Sequence, residues 1–140
     1  MENNPTWMLV VAAALSDGRG RWLMHRRALS KHHGGLWEFP GGKVDGLEMP
    51  TESLVRELHE ELGIGVDPAE LVPAGFAEAQ PDPGRLPIVI LLYSLARWQG
   101  EPRALEGEGI GWFTPQEIFA LPKPPLDEEL ARNLFGPEAG

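Results

Sequence analysis

The feature that most constrains the fold is the stretch from residue 41 to residue 64, GGKVDGLEMPTESLVRELHEELGI. With about 100° between successive residues of a helix, its apolar side chains fall into one stripe. The stripe consists of Leu54, Val55, Leu58 and Leu62. Such a stripe has to be buried against other structure, and Gly63 stands where a left-handed helix cap is expected. We therefore predict a helix over residues 51–62 that lies on a sheet.

Short apolar runs separated by turn residues fill much of the remaining chain, a pattern typical of strands joined by loops. The predicted strands are 7–15, 21–27, 71–79, 87–98 and 109–113. We expect the first two to form a hairpin, and the third and fourth to flank a loop at 80–84. Residues 28–40 are predicted to be a loop with a short extended piece at Trp37–Phe39. Pro40-Gly41-Gly42 is then expected to break regular structure.

Two more helices are predicted near the end of the chain. Thr114 and Pro115 are typical of an N-cap and a first helical position, and the prolines from residue 122 onward end this helix. A last helix is possible over residues 127–135. The mixture of strands and helices predicts an α+β fold in which helices cover a sheet. The length fits a single domain, 1–140.

Composition excludes several classes of function. The chain has no cysteine, so it forms no disulfide, thiolate metal site or cysteine nucleophile, which agrees with a cytoplasmic location. A net charge of −9 argues against a nucleic acid polymer as partner, and a ligand with several phosphates would be repelled unless cations bridge it. We find no apolar run that predicts a membrane span, and residues 1–5 lack the basic start of a signal peptide.

Three glutamates gather on one edge of the predicted helix, beside its apolar stripe. They are Glu57, Glu60 and Glu61, and Arg56 lies one turn before Glu60, where an ion pair can form. A solvated acidic face is one interpretation. The alternative is a metal site, because like charges three and four residues apart cost stability and a hard cation relieves that cost. An edge of carboxylates without Cys or His favours Mg²⁺, with Mn²⁺ possible, and Gly41 could offer a carbonyl ligand.

The same stretch resembles the signature of the Nudix hydrolase family. Gly42 is followed after five residues by Glu48 and, after seven more, by Arg56-Glu57-Leu58-His59-Glu60-Glu61-Leu62-Gly63-Ile64. The chain is most similar to the MutT branch, the nucleoside triphosphate pyrophosphohydrolases that sanitise the nucleotide pool. Segments outside the signature add support: residues 37–43, residues 98–102 and Glu106-Gly107. The resemblance implies the Nudix fold, a mixed β-sheet sandwiched between α-helices.

The resemblance also implies roles for residues on the metal side of a site. Metal ligands or the general base would be Glu57, Glu60 and Glu61. Gly41 would give a metal its backbone carbonyl, and Glu106 matches a late glutamate that can join the metal site. Arg56 would orient Glu57 and hold the loop before the helix, with Glu48 as a structural carboxylate. Glu57 is the preferred base and Glu61 a close second.

On the substrate side, the resemblance implies a second group of residues. Lys43 would touch phosphate or anchor the loop, Arg27 matches a substrate-contacting arginine, and His32 matches a residue near the nucleotide. Phe39 could line the base pocket. Asp127 falls where MutT relatives often carry the Asn that recognises the purine edge. An ionised Asp accepts hydrogen bonds but donates none, so it could accept from N–H groups on a guanine edge or from N4 of a cytosine-type base.

Two further departures from the family pattern lie in the loop before the helix. The usual glycine just ahead of Glu48 is replaced by Leu47, with Gly46 one residue earlier, so we expect a slightly different loop path. The usual Thr ahead of Pro50 is replaced by Met49, which makes Thr51 a candidate for a shifted cap.

Three functions follow. The first is Mg²⁺-dependent hydrolysis of a nucleoside triphosphate to the monophosphate and pyrophosphate, with 8-oxo-dGTP favoured. The second is hydrolysis of another substrate, such as a cytidine-type nucleotide, ADP-ribose or a diadenosine polyphosphate. The third is a non-catalytic module that binds a nucleotide. A monomer and a homodimer are both compatible with the sequence.

Overall fold

The structure is a computed structural model that describes residues 7–79, 83 and 86–137. The start of the chain and most of the predicted loop at 80–84 lie outside the described residues. In chain order the elements are β1 (Met8–Leu15), β2 (Trp22–Arg26), β3 (Trp37–Glu38), β4 (Gly41–Lys43), α1 (Pro50–Leu62), a 3-10 turn (Pro68–Glu70), β5 (Val72–Ala79), β6 (Ile88–Leu95), β7 (Gly109–Phe113), α2 (Pro115–Ala120) and α3 (Pro125–Phe135).

The strands form two sheets, in the orders β4-β1-β6-β5 and β3-β2-β7. The first sheet is mixed, because β1 pairs antiparallel with β4 and parallel with β6. Side chains of β1 alternate between two apolar cores. Val11, Ala13 and Leu15 pack with the apolar stripe of α1, whereas Ala12 and Ala14 pack with residues of α2 and α3. The predicted α+β fold, a mixed sheet between helices, is confirmed.

The predicted hairpin of the first two strands is wrong. Within the described residues, β1 and β2 are joined by a single bridge between Ser16 and Trp22, and β2 belongs to the second sheet. Both hydrogen-bonding edges of β1 are already taken by β4 and β6, so β2 has no edge of β1 to pair with. The two sheets therefore separate after this bridge and leave room for a cleft.

Several boundaries differ from the predicted ones. Gly41 and Gly42 do not break regular structure; they belong to β4, whose pairing with the distant β1 outweighs the low strand propensity of glycine. The fourth predicted strand ends at Leu95 instead of 98, and α3 begins at Pro125 instead of 127. Described residues contain no helix that is long and apolar enough to cross a membrane.

The ends of α1 are set by local chemistry. The helix begins at Pro50, whose fixed φ suits a first helical position, so Thr51 is not the cap. Met49 takes the cap position, and its N–H donates to Glu52 Oε1 at 2.9 Å. Gly63 ends the helix in the predicted left-handed conformation, with φ 73°. In the preceding loop Gly46 has φ 50° and Leu47 is fully exposed, so the turn comes one residue earlier than in the family pattern.

The predicted capping of α2 is confirmed. Thr114 Oγ1 accepts from the N–H of Glu117 at 3.2 Å, and Glu117 Oε1 accepts from the N–H of Thr114 at 2.8 Å. This reciprocal pair satisfies two backbone donors at the start of the helix. Beyond its end, Lys123 donates to the carbonyl oxygens of Ile118 and Leu121, which fixes the segment leading into α3.

Candidate active site

A cleft of about 600 Å³ opens between the two sheets. Eight of the twelve predicted site residues line it: Arg27, Phe39, Gly41, Lys43, Glu57, Glu61, Glu106 and Asp127. Among the residues that the structure describes, the other four lie outside this lining: His32, Glu48, Arg56 and Glu60. The cleft thus brings together four of the seven residues expected on the metal side and four of the five expected on the substrate side.

Arg56 is the centre of an ion-pair network behind the cleft. Its Nε lies 3.0 Å from Glu48 Oε2 and its Nη2 lies 3.1 Å from Glu48 Oε1, a two-pronged contact with the loop before α1. Its Nη1 reaches Glu57 Oε2 at 3.2 Å and Glu60 Oε1 at 3.3 Å. The Arg56 hydrogen bonds, with one from Ser53, hold the pKa of Glu48 below its ordinary value. One guanidinium therefore fixes the orientation of Glu57 relative to the loop.

The three glutamates on the helix edge differ in burial. Glu61 is buried, Glu57 is half-buried, and the Glu60 side chain is 50% exposed on the outer side of Arg56. Burial raises the pKa of Glu57, an effect that Arg56 opposes and the charge of Glu60 reinforces. Burial also raises the pKa of Glu61 to about 8, with the positive charge of His25 opposing and the charges of Glu38 and Glu57 adding to the rise. Glu57 and Glu61 are thus costly to ionise without a cation.

Strand β4 carries the glycine pair past these carboxylates. The Pro40 carbonyl oxygen accepts from the N–H of Ala13, so this pair is hydrogen-bonded and the next pair, Gly41 with Ala12, is not. The polar backbone groups of Gly41 therefore point away from β1, and its N–H donates to Glu61 Oε1 at 3.2 Å. Its carbonyl shares that free edge. This arrangement agrees with the prediction that Gly41 could offer a carbonyl ligand.

Both glycines leave space that a neighbouring group occupies. A Cβ on Gly42 would stand 2.6 Å from each carboxylate oxygen of Glu57, and one on Gly41 would overlap the Val11 carbonyl oxygen and stand 2.7 Å from the Cα of Ala12. Real Cβ atoms almost never approach other atoms so closely. Close approach of β4 to both β1 and α1 thus depends on two residues without side chains.

The residues present fit a hard divalent cation. Within the described part of the chain, no group of three or more His, Asp or Glu side chains is arranged to hold a metal by itself. Glu57, Glu61 and the Gly41 carbonyl supply oxygen donors, and Glu106 lines the same cleft. Mg²⁺ commonly binds to one or two carboxylates and completes its coordination with water and substrate phosphates. A donor set that is incomplete without phosphate oxygens is therefore suited to Mg²⁺ or Mn²⁺.

Asp127 and Phe39 also line the cleft and are hydrogen-bonded to each other. Asp127 is 6% exposed, and its Oδ2 accepts from the backbone N–H of Phe39 at 3.0 Å. Burial raises the pKa of Asp127 to about 7, and the charge of Glu38 adds to the rise while the Phe39 N–H, Arg27 and Lys123 oppose it. Asp127 is thus a buried carboxyl group at the cleft that is held by one backbone donor.

Arg27 connects Glu38 with the loop after β2. Its Nη1 donates to Glu38 Oε1 at 2.7 Å and its Nε donates to the carbonyl oxygen of His32 at 2.8 Å. The exposed His32 side chain does not line the cleft of the described structure. His32 instead contacts Arg27 through its backbone carbonyl oxygen. Lys31, which sequence reasoning missed, lines the cleft near Arg27.

His25 and Glu38 are the main residues that sequence reasoning missed. Both line the cleft, and His25 Nδ1 lies 3.2 Å from Glu38 Oε2. Burial lowers the pKa of His25, but the hydrogen bonds to Glu38 and the Glu106 carbonyl, with the charge of Glu61, raise it overall. A signal was available: in the alternating strand β2, His25 follows the inward-facing Leu23 by two residues.

Comparison with known proteins agrees with this geometry. The NUDIX domain matches residues 6–134. The chain is 35% identical over 120 residues to the CTP pyrophosphohydrolase of Escherichia coli, covering 86% of each protein. It is 33% identical over 109 residues to the 8-oxo-dGTP diphosphatase of the same species, covering 78% of this chain and 81% of that one. The crystal structure of a MutT NUDIX hydrolase from Burkholderia pseudomallei superposes with a TM-score of 0.76 at 28% identity, covering 93% of this chain and 97% of that one. The chain therefore belongs to the NUDIX domain family and is a Nudix hydrolase of the MutT type.

Proposed function

We propose that this protein hydrolyses a nucleoside triphosphate to the monophosphate and pyrophosphate with Mg²⁺, and that 8-oxo-dGTP is its favoured substrate. The observation that carries the proposal is the placement of Glu57. Arg56 holds the Glu57 carboxylate on one side, and Gly42 of β4 leaves room for it on the other. A relative named 8-oxo-dGTP diphosphatase supports the choice of substrate. Removal of an oxidised nucleotide before its incorporation would serve DNA repair in the cytoplasm.

Residues of this chain would perform four tasks in the reaction: holding the metal, accepting the water proton, binding phosphate and fixing the loop before α1. The metal would be held by Glu57, Glu61, Glu106 and the Gly41 carbonyl. Glu60 would contribute through its ion pair with Arg56. The cation would neutralise phosphate charge and lower the pKa of a bound water. Glu57 is our choice of general base, because Arg56 orients its carboxylate and burial raises its pKa above the ordinary value, and Glu61 is the second choice.

Bond changes follow from the products. A water oxygen would bond to the β-phosphorus, and the bond from that phosphorus to the oxygen bridging it to the α-phosphorus would break. That oxygen leaves with the nucleoside monophosphate, and the water proton passes to the base. Lys43 and Arg27 both line the cleft, and their positive charges would bind phosphate oxygens. Glu48 would act through Arg56 by fixing the loop.

A cytidine-type nucleotide is the second candidate, and Asp127 favours it. An ionised carboxylate accepts hydrogen bonds from an exocyclic amino group such as N4 of cytosine, whereas the Asn usual in MutT relatives both donates and accepts. The Phe39 N–H donates to one oxygen of Asp127, and Asp127 lines the cleft. A relative named CTP pyrophosphohydrolase supports this alternative.

The test is pyrophosphate release measured with Mg²⁺ and a panel of 8-oxo-dGTP, dGTP, dCTP, CTP, 5-methyl-dCTP and ADP-ribose. We expect the highest kcat/KM for 8-oxo-dGTP; equality with dGTP would refute the sanitising role, and a preference for cytidine nucleotides would establish the second candidate. Glu57→Gln should lower kcat at least about 100-fold. The matched control is His59→Gln on the exposed side of α1. Near-full kcat in folded Glu57→Gln would remove Glu57 from the mechanism, and no hydrolysis of any substrate would indicate a non-catalytic module.

A further inference from the structure

His25 is a buried imidazole with a polar partner at each ring nitrogen. The residue is 3% exposed, and its Nε2 lies 2.8 Å from the carbonyl oxygen of Glu106. On the other side its Nδ1 lies 3.2 Å from Glu38 Oε2. These two partners, Glu38 and Glu106, are 68 residues apart in the chain. A single side chain of β2 thus connects β3 with the loop before β7.

The chemistry of the partners fixes which groups donate. A backbone carbonyl oxygen can only accept, so Nε2 carries the proton in the bond to Glu106. An ionised Glu38 also only accepts, so Nδ1 donates to it. Gly107 adds a steric constraint, because a Cβ at this position would stand 2.5 Å from Nε2. The imidazole is therefore held at both ring nitrogens, and Gly107 is the residue that lets the loop approach it.

A continuous chain of contacts runs from Arg27 through Glu38 and His25 to Glu106. Arg27 donates to one oxygen of Glu38, and His25 contacts the second. The imidazole then donates to the peptide group of Glu106, whose side chain lines the cleft with Glu57. Because the bond is to the peptide group, it fixes the backbone from which the Glu106 carboxylate projects. Arg27 and Glu106 consequently share one support.

We propose that His25 is a positioning residue, whose Nε2 holds Glu106 in place for the metal and whose Nδ1, through Glu38, holds Arg27 in place for the substrate. The inference rests on the proposed metal-dependent hydrolysis and adds a residue that touches neither metal nor nucleotide. Residues that orient metal ligands typically change metal affinity or activity 10- to 100-fold when they are replaced.

Two variants separate the two contacts. The amide nitrogen of Asn lies near the position of Nδ1, so His25→Asn keeps a donor for Glu38 and loses the one for Glu106. The amide nitrogen of Gln lies near Nε2, so His25→Gln does the reverse. We expect His25→Asn to weaken Mn²⁺ binding roughly tenfold, and His25→Gln to bind Mn²⁺ within about threefold of the unsubstituted chain but to raise KM roughly tenfold. Mn²⁺ binding is measured by electron paramagnetic resonance without nucleotide, and KM by pyrophosphate release.

The control is His59→Gln, which changes an exposed histidine on α1 and should match the unsubstituted chain in both measurements. Equal Mn²⁺ affinities in the two His25 variants would overturn the inference, because a purely structural histidine would not separate the two readouts. Should His25→Asn fail to fold, His25→Gln decides: retained Mn²⁺ affinity with a raised KM supports the inference, and lost affinity overturns it. Failure of the unsubstituted chain to bind Mn²⁺ would instead refute the proposed function and the inference with it.

Discussion

Replacing Gly42 by alanine would place a methyl group against the carboxylate of Glu57. Both carboxylate oxygens stand 2.6 Å from the position of the new Cβ, whereas ordinary contact begins at 3.4 Å. The carboxylate must therefore move by about 1 Å, and it is the end of a flexible side chain that can do so. A displacement of about 1 Å in a catalytic group can lower the rate roughly 100-fold. We expect kcat of Gly42→Ala to fall by about that factor.

The fold should tolerate this change. Gly42 has no positive φ, and alanine is more favourable than glycine within a strand by about 0.5–1 kcal/mol, which offsets part of the crowding. Gly41→Ala is the matched contrast, since its Cβ would overlap backbone atoms of Val11 and Ala12 that cannot turn aside. We expect it to lose about 3 kcal/mol of unfolding free energy, the upper end of the usual cost of overpacking, and to melt about 10 °C lower.

The assay is pyrophosphate release with saturating Mg²⁺ and nucleotide, combined with thermal unfolding of each variant. Gly42→Ala should melt within about 3 °C of the unsubstituted chain and still lose activity, so loss of fold would not explain the result. A kcat within twofold of the unsubstituted chain would refute the reasoning that Glu57 has to occupy the space beside Gly42. Unchanged melting of Gly41→Ala would refute the steric account of β4.

Three more predictions follow from the ion pairs and the buried carboxyl group. The pKa of Asp127 rises from 3.8 in the unfolded chain to about 7 on folding, so its contribution to stability falls as pH rises between these values. The unfolding free energy of Asp127→Asn relative to that of the unsubstituted chain should therefore increase by on the order of 2–4 kcal/mol from pH 4.5 to pH 8, as measured by urea unfolding. A difference that does not change with pH would contradict this. The same variant keeps an acceptor for the Phe39 N–H and should raise the 8-oxo-dGTP to dCTP ratio of kcat/KM roughly tenfold, whereas an unchanged ratio would exclude Asp127 from base recognition. Arg56→Lys loses the two-pronged contact with Glu48, so kcat should fall roughly tenfold while the melting temperature changes little, and full activity would show that the fork geometry is dispensable.

How much could be predicted depended on the range of the interactions. Helix α1 and its edge of glutamates were predicted well because their pattern lies within 13 consecutive residues. The partner of β1 was predicted wrongly because the choice among β2, β4 and β6 is made over long sequence separations that local alternation does not record. Gly41 and Gly42 were misassigned for the same reason, since only their pairing with β1 makes them a strand.

The site shows the same limit. The carboxylates and Arg56 were predicted from helical spacing together with the family resemblance, whereas Arg27, Phe39 and Asp127 came from the resemblance alone. The inward position of His25 could be read from the alternation of β2, but its role could not, because that role depends on Glu38 and Glu106, which reach it from other parts of the chain. A buried polar residue acquires its meaning from its partners, and a single sequence does not identify them.

The passage of the chain between the two sheets has a mechanical consequence. Strand β3 ends at Glu38 in one sheet and β4 begins at Gly41 in the other, so two residues, Phe39 and Pro40, span the gap. Phe39 is hydrogen-bonded to Asp127 and Pro40 to Ala13, and these bonds restrict the movement of the two linking residues. A base that pushed Phe39 aside would therefore drag Gly41 away from Glu61. We expect a poorly fitting base to lower turnover as well as affinity, because a displacement of Phe39 would be passed on to Gly41 and its contact with Glu61.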